Sequence, residues 1–389
     1  SEKCEEQTKR KRCSVHPFFY PPPYLLAMSW SLPMDLHAAY MIFFWMGSLF
    51  LISVLMALWR WVGGALVFAV SGILFLSFTP IQDTLRMGQA NLMVLALMVW
   101  GVMLAEWQGA NKRQWAGGAL VGLACMMKMS PALLVIWWIV RKAWKPVLGA
   151  ISAAFLSSLL VLPFVGLEHQ TEFYFTVLPG FTSGNYHDLS VPLNIPMNHS
   201  ILNFWMQVAS GFGGLERASE ASLVATSLAR VTSLGLFVGL MILLKKPNPD
   251  ALSRANAAAA LVVLMVLVPA YSYEHHLVFF IFPILTVAAA FGQGRLNWKC
   301  GLLYVAIYVL LAWGLRDFRA LSVSLGDGEL YASSAVAFRE LKFLAALGLG
   351  GLCTLAALSP PRVEPSQDDE MSEARLTVKH VRPSWENAS

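Results

Sequence analysis

Charged residues are scarce in this sequence. Only 13% of its 389 residues are Asp, Glu, Lys or Arg, whereas soluble globular domains carry about 25%. Hydrophobic residues make up 57% of the chain, which excludes a soluble globular domain and predicts a protein of the lipid bilayer. The net charge of +5 is small and scattered along the chain, so we expect no nucleic-acid partner.

Cysteine is also infrequent, and its positions show no CxxC or metal-ligand spacing (Cys4, Cys13, Cys125, Cys300 and Cys353). Three of the five lie in apolar segments and are expected to pack as small buried hydrophobes. The HExxH pattern of zinc hydrolases is absent as well. We therefore expect no disulfide framework, no metal and no cofactor.

Long apolar segments are what the sequence has instead. They fall at 36–59, 62–79, 91–107, 115–127, 131–140, 147–164, 222–244, 256–271, 277–292, 299–315 and 341–358. A full span needs about 20 apolar residues, and several of these segments are shorter. Short or broken helices are tolerated in a membrane only when they pack in protein or line a wet cavity. The sequence therefore predicts an all-α, multi-pass bundle with such a cavity.

Basic residues collect at five junctions between the apolar segments, and the positive-inside rule places these junctions in the cytoplasm. The junctions are Arg60, Lys112 with Arg113, Arg141 with Lys142 and Lys145, Lys245 with Lys246 and Arg254, and Arg295 with Lys299. This topology requires 115–140 to be a hairpin, with its tip at Lys128–Pro131 facing outward. Pro131 favours a break there, because a proline disfavours helical geometry in the residue before it.

The outer face then receives residues 80–90, the hairpin tip, a long loop at 165–221, the segment around 274–276 and a loop at 316–340. Polar residues collect on this face, so we expect a polar cavity open to the outer leaflet. We divide the chain into a charged N-terminus (1–16), a polytopic membrane domain (17–359) and a disordered cytoplasmic tail (360–389). The basic run KRKR in the first part conflicts with the topology, so we expect that the natural N-terminus is missing or mispredicted.

Three titratable residues interrupt the apolar run "VLVPAYSYEHHLVFFIFPIL", namely Glu274, His275 and His276. Adjacent histidines point in different directions on a helix, which disfavours a shared metal. A histidine that contacts phosphate, or that Glu274 orients, fits the chemistry better. The alternative is a boundary residue that water satisfies.

Two further stretches offer groups suited to a phosphate or a sugar. In "QDTLRMGQANL", Arg86 supplies a planar cation, while Gln89 and Asn91 supply amides. Asn91 could instead cap the helix that follows, and Arg86 could snorkel to the interface. Lys128 lies in "CMMKMSP" without a nearby carboxylate, and it either binds an anion or snorkels at the hairpin tip.

Several stretches together resemble the polyprenol-phosphate-sugar-dependent glycosyltransferases of family 87, the polyprenol-phosphate-mannose-dependent mannosyltransferases. The matching stretches are "FFYPPPYLL", "RMGQANLMVLAL", "AGGALVGLACMMKMSPALLVIWWIVRKAW", "LNIPMNHSILNF" and "YSYEHHLVFFIFPIL". The similarity runs from about residue 17 to about residue 350. No single motif is decisive for this family, but the five stretches in this order are specific for it.

This resemblance implies a GT-C-type fold, a multi-helix bundle whose active site lies on the non-cytoplasmic side. It implies donor-phosphate binding by Arg86 and Lys128, and sugar binding by Gln89, Asn91 and Asn198. The catalytic group is then His276, His275 and Glu274. The family's usual base is an aspartate in an N-terminal loop, and neither Glu274 nor Asp83 matches that motif.

The resemblance thus implies a multi-pass plasma-membrane glycosyltransferase that uses a polyprenyl-phosphate-linked sugar, most often mannose. The acceptor is a lipid-linked or envelope glycan, and transfer inverts the anomeric centre. The alternatives are a secondary transporter or lipid flippase, or an inactive relative that binds glycan. The absence of an internal repeat disfavours a transporter.

Overall fold

The computed structural model of the protein describes residues 20–107, 111–183, 197–210, 222–314, 320 and 333–360. The predicted charged N-terminus (1–16) and nearly all of the predicted tail (361–389) lie outside these residues. The described residues form helices and contain no strand, as the composition predicted.

The helices follow the predicted apolar segments closely. In chain order they are α1 (Pro22–Met28), α2 (Leu36–Val62), α3 (Ala65–Ser77), α4 (Thr79–Arg86), α5 (Asn91–Ala105), α6 (Asn111–Met127), α7 (Ala132–Val140), α8 (Trp144–Glu172), α9 (Leu178–Ser183), α10 (Ile201–Ala209), α11 (Leu223–Leu243), α12 (Ala251–Leu267), α13 (Ile281–Gly292), α14 (Trp298–Ala312) and α15 (Ser333–Leu358). A short 3₁₀ segment, Glu274–Phe280, leads directly into α13. A short 3₁₀ turn, Ser29–Ser31, also follows α1.

Side-chain caps explain where five of these helices begin. A short polar side chain accepts a hydrogen bond from a backbone N–H in the first turn, which satisfies a donor that the helix leaves unpaired. The capping residues are Asp35 for α2, Ser200 for α10, Ser222 for α11, Asp250 for α12 and Asn297 for α14.

Five helical stretches of the described chain are long and apolar enough to cross a membrane. They are Leu36–Val62, Trp144–Gly180, Leu223–Leu243, Glu274–Gly292 and Glu340–Leu358. A sixth arises if α3 and α4, which meet at an angle of 53°, form one broken span. The protein is therefore an integral membrane protein with several short or bent helices.

The centre of the bundle is formed by α12 and α13, which are buried on nearly every side. A helix that is apolar all round belongs in such a position. In contrast, α2, α8 and α11 keep broad apolar faces exposed, as expected where helices meet lipid. The 3₁₀ segment that carries His275 and His276 therefore leads into the core rather than into a peripheral helix.

Helices α6 and α8 approach each other closely through glycine. A Cβ atom on Gly118 would overlap the backbone of Pro146, and one on Gly122 would overlap the backbone of Ala150. Small residues allow this kind of contact in membrane bundles, where packing replaces the hydrophobic driving force. The close contact holds α6, which ends at Met127 directly before Lys128, against α8.

The two ends of the bundle differ in character. Arg141 and Arg254 both contact Glu106, which directly follows α5, and Arg295 pairs with Asp250 at 2.7 Å. Three of the five basic junctions therefore lie at one end. At the other end of α5, which is about 22 Å away, Asn91 contacts the 3₁₀ segment and Lys128. The hairpin of α6 and α7 thus has its tip at the end opposite the basic junctions.

The predicted outer loops are shorter than expected. Residues from 165 onward continue α8 as far as Glu172, then form a π-helical turn at Phe173–Val177 and continue as α9. The chain changes direction at Gly166, whose φ of 78° ordinary residues rarely adopt. Residues 333–340 of the second predicted loop are already helical, as part of α15.

Candidate active site

The Glu-His-His segment places two imidazoles side by side. His276 Nδ1 accepts a hydrogen bond from the Tyr273 backbone N–H at 3.3 Å. Because this nitrogen is an acceptor, the ring proton lies on Nε2, which remains a donor. The His275 and His276 rings meet edge to face with centroids 4.3 Å apart, and both residues are partly exposed.

Asn91 connects this segment to the hairpin tip. Its side chain is buried, and its Nδ2 donates to the His275 backbone oxygen at 3.0 Å. Its Oδ1 accepts a hydrogen bond from Lys128 Nζ at 3.1 Å. Thr84 on α4 donates to the same His275 oxygen, also at 3.0 Å. The sequence left a capping role open for Asn91, but the structure gives its side chain no cap bond.

Lys128 is a basic side chain without a carboxylate partner among the described residues. It lies in the connection between α6 and α7, and no described carboxylate comes within ion-pair distance of its ammonium. Besides Asn91, its ammonium lies 5.4 Å from the centre of the Phe279 ring. Burial lowers the pKa of Lys128 to about 7, because its surroundings disfavour the charged form. An anion bound beside the amine would therefore stabilise the ammonium.

Glu274 is not positioned as the sequence suggested. Its carboxylate is buried and contacts His199 Nε2 at 2.9 Å and Lys342 Nζ at 2.7 Å. The histidine that it orients is therefore His199, rather than His275 or His276. The geometry gives Glu274 a structural role, in which it ties the 3₁₀ segment to α15.

Asn198 is likewise engaged within the protein. It is fully buried, its Nδ2 donates to the Ala270 oxygen at 2.7 Å, and its Oδ1 accepts from the backbone N–H groups of Ser200 and Ser272. These bonds fix the start of α10 against residues 270–272. The geometry therefore favours a positioning role for Asn198 over direct contact with a sugar.

Arg86 and Gln89 lie on the connection between α4 and α5. Arg86 ends α4 with an exposed side chain that makes no ion pair within the described residues. Gln89 Oε1 accepts a hydrogen bond from the Tyr20 hydroxyl at 3.0 Å. Burial raises the pKa of Tyr20, so its phenol stays protonated and remains a donor. This bond leaves the amide N–H groups of Gln89 for another acceptor.

A cavity of about 430 Å³ borders Tyr20 on the side of α8. Its walls are largely apolar, with Leu25, Phe164 and Phe173 among them, and its polar groups include His169 and Glu172. Within the described part of the chain, no group of three or more His, Cys, Asp or Glu side chains could hold a metal ion. The site is thus a lysine and two imidazoles at one end of the bundle, and Gln89 and Tyr20 connect it to an apolar cavity.

Sequence reasoning missed three residues of this network. His199 belongs to the quoted "NHS" stretch but received no role, and Thr84 carries no signal that separates it from other threonines. Lys342 could have been found, because it is a lone lysine in an otherwise apolar segment, and such residues are paired or functional.

The fold and the site define a helical membrane protein with a lysine, an asparagine and two histidines clustered at one end. The sequence pattern of Glycosyltransferase family 87 matches residues 18–269, and the chain belongs to this family.

Two curated relatives carry the same name, polyprenol-phosphate-mannose-dependent alpha-(1-2)-phosphatidylinositol pentamannoside mannosyltransferase. The protein of Mycobacterium tuberculosis (strain CDC 1551 / Oshkosh) is 26% identical over 155 residues, which are 38% of this chain and 32% of that protein. The protein of Mycolicibacterium smegmatis is 29% identical over 101 residues, which are 26% of this chain and 22% of that protein. The matches thus span a third or less of these relatives.

Among solved structures, ArnT from Cupriavidus metallidurans bound to undecaprenyl phosphate aligns with 89% of this chain and 68% of its own. The identity is 16% and the TM-score is 0.43.

Proposed function

We propose that this protein is a membrane glycosyltransferase that moves mannose from a polyprenyl-phosphate donor to a lipid-linked or envelope glycan. The observation that carries the proposal is the Lys128 ammonium, which Asn91 holds without a carboxylate partner among the described residues. Membership in family 87 supports sugar transfer, and the names of the two mycobacterial relatives support the donor.

In this reaction the polyprenyl phosphate is the leaving group, and it gains negative charge as the bond to the sugar breaks. Lys128 and the Nε2–H of His276 would stabilise that charge, because prearranged donors are most effective where charge develops. Arg86 would add a second cation from the solvent side. Gln89 and Asn91 would orient sugar hydroxyls, while Glu274 and Asn198 would hold the segments that carry these groups.

We propose further that the arrangement is of the GT-C type, that transfer inverts the anomeric centre, and that the site faces the non-cytoplasmic side of the plasma membrane. The collection of basic junctions at the opposite end of the bundle supports this orientation.

The test is a transfer assay with the full-length protein in liposomes. Radiolabelled polyprenyl-phosphate-mannose is supplied with phosphatidylinositol mannosides as acceptors. Wild-type protein should transfer label, and His276→Ala should lower the rate about 100-fold at equal expression. His37→Ala, an exposed histidine in the first turn of α2, is the matched control and should retain the rate.

Two results would count against the proposal. Folded wild-type protein that turns over no polyprenyl-phosphate sugar would refute it. Ion-gradient-driven uptake into the same liposomes, without transfer, would favour the transporter instead.

A further inference from the structure

A second cavity of about 430 Å³ lies at the end of the bundle opposite the Glu-His-His segment. Its walls come from the end of α5, the first turn of α6, the connection between α7 and α8, and the first turn of α12. Two basic junctions that are distant in sequence, Arg141 to Lys145 and Arg254, therefore converge on one concave surface. The proposed transfer reaction uses none of these residues.

The lining of this cavity is strongly cationic. Four basic side chains and one carboxylate face it, a formal excess of three positive charges (Arg141, Lys142, Lys145, Arg254 and Glu106). A concave surface with one sign of charge concentrates ligands of the opposite sign. Two of the four cations are arginines, whose planar donors match phosphate oxygens.

The single carboxylate is already engaged within the wall. Glu106 Oε1 accepts from Trp138 Nε1 at 3.0 Å and from an Arg141 nitrogen at 2.6 Å. Its Oε2 lies 3.5 Å from Arg254 Nε. Glu106 thus fixes the two guanidinium groups in place and offsets only one of them. Lys142 and Lys145 are exposed at the rim and leave their charges for a ligand.

The surface next to the rim is suited to acyl chains. Trp144, Leu148, Ile151 and Phe155 are spaced by four, three and four residues, so they form one stripe on α8. All four are exposed, from 45% at Leu148 to 62% at Phe155. A tryptophan at the end of such a stripe is typical of the interface between headgroups and hydrocarbon. The cavity therefore opens at headgroup level above a lipid-facing apolar surface.

We propose that this cavity binds the phosphate of an anionic phospholipid headgroup, and that the acyl chains lie along the Trp144–Phe155 stripe. Basic pockets between membrane helices are suited to anionic headgroups. A free phosphate ion would use the same cations but would gain nothing from the stripe. The site is separate from the candidate active site and would anchor that end of the bundle in an anionic leaflet.

The test measures the binding of fluorescently labelled phosphatidylglycerol to the full-length protein in detergent. The double variant Lys142→Gln with Lys145→Gln should lower the affinity about tenfold or more. The matched control is Lys245→Gln with Lys246→Gln, an exposed basic pair at the end of α11 that does not line the cavity. The control should change the affinity by less than about twofold.

Competition identifies the ligand. Unlabelled phosphatidylglycerol should displace the probe, while phosphatidylcholine and sodium phosphate should do so only at much higher concentrations. Equal losses in both double variants would overturn the proposal, since they would indicate general electrostatic attraction. Displacement of the probe by phosphatidylcholine at the same concentration as by phosphatidylglycerol would also overturn the proposal. Displacement of the probe by sodium phosphate at that same concentration would overturn the lipid assignment and show that the cavity binds free phosphate.

Discussion

Replacement of Lys342 by methionine probes the buried network behind the Glu-His-His segment. The Lys342 ammonium lies 2.7 Å from Glu274 Oε2, and its side chain is fully buried. Lys342→Met keeps most of the volume but leaves the Glu274 carboxylate with His199 alone. We expect the protein to fold less stably and the 3₁₀ segment to lose its attachment to α15.

The magnitude follows from the geometry. At an effective dielectric constant of about 20, two unit charges 2.7 Å apart attract each other by about 6 kcal/mol. Desolvation offsets much of this attraction, but loss of one partner from a buried pair typically costs about 3–5 kcal/mol. Because His199 still contacts Glu274 at 2.9 Å, we expect about 3 kcal/mol for Lys342→Met.

A double-mutant cycle isolates the interaction. The free energy of unfolding is measured by titration with SDS in mixed micelles for wild type, Lys342→Met, Glu274→Gln and the double variant. The double variant should recover at least half of the stability that Lys342→Met loses, because it buries no unpaired charge. Lys245→Met, an exposed lysine, should shift the free energy by less than about 0.5 kcal/mol. If the double variant loses as much stability as the two single variants combined, Lys342 and Glu274 do not stabilise each other.

Three further predictions concern packing, charge and the site. Gly118→Val should destabilise the protein by about 3 kcal/mol in the same titration. Gly239→Val should cost less than about 1 kcal/mol, because a Cβ atom at Gly239 would have no neighbour within 4 Å. Burial acts to raise the pKa of Asp250, but hydrogen bonds, chiefly from Arg295, lower it overall. Its contribution to stability is therefore complete above about pH 4 and is lost as pH falls through the lowered pKa. Asp250→Asn should accordingly destabilise the protein at pH 7. The difference in free energy of unfolding between wild type and this variant should shrink when the titration is repeated at lower pH, and a difference independent of pH would contradict this. Asn91→Leu should lower transfer about 100-fold with unchanged helical content by circular dichroism, and unchanged transfer would show that the link to the 3₁₀ segment is dispensable.

Much of the fold was predictable because the bilayer imposes simple rules. Helix length and apolar composition located the helices, and Pro131 marked the break between α6 and α7, where the structure has it. The extension of α8 beyond residue 165 was missed, because "GLEHQTEFYF" is polar enough to read as a loop. The extension contacts the rest of the protein through Gln170 and Phe173, which are buried, and no periodicity in the sequence indicates that contact.

The candidate site was predictable in its residue types but not in its pairings. Asn91, Lys128 and His275 were each singled out, yet only the fold brings them within hydrogen-bond distance. Glu274 was grouped with its sequence neighbours, whereas a buried carboxylate needs a cation, and the partner lies 68 residues away at Lys342. The sequence marks Lys342 as a lone lysine in an apolar segment, but it does not indicate which carboxylate that lysine pairs with.

The most direct test of the central claim is the binding of a polyprenyl monophosphate to the purified protein. We expect Lys128→Gln to weaken this binding about tenfold or more, which corresponds to about 1.4 kcal/mol. Lys299→Gln removes an exposed lysine at the first turn of α14 and should leave the affinity unchanged. Equal affinity of wild type and Lys128→Gln would contradict the assignment of this end of the bundle as the donor-phosphate site.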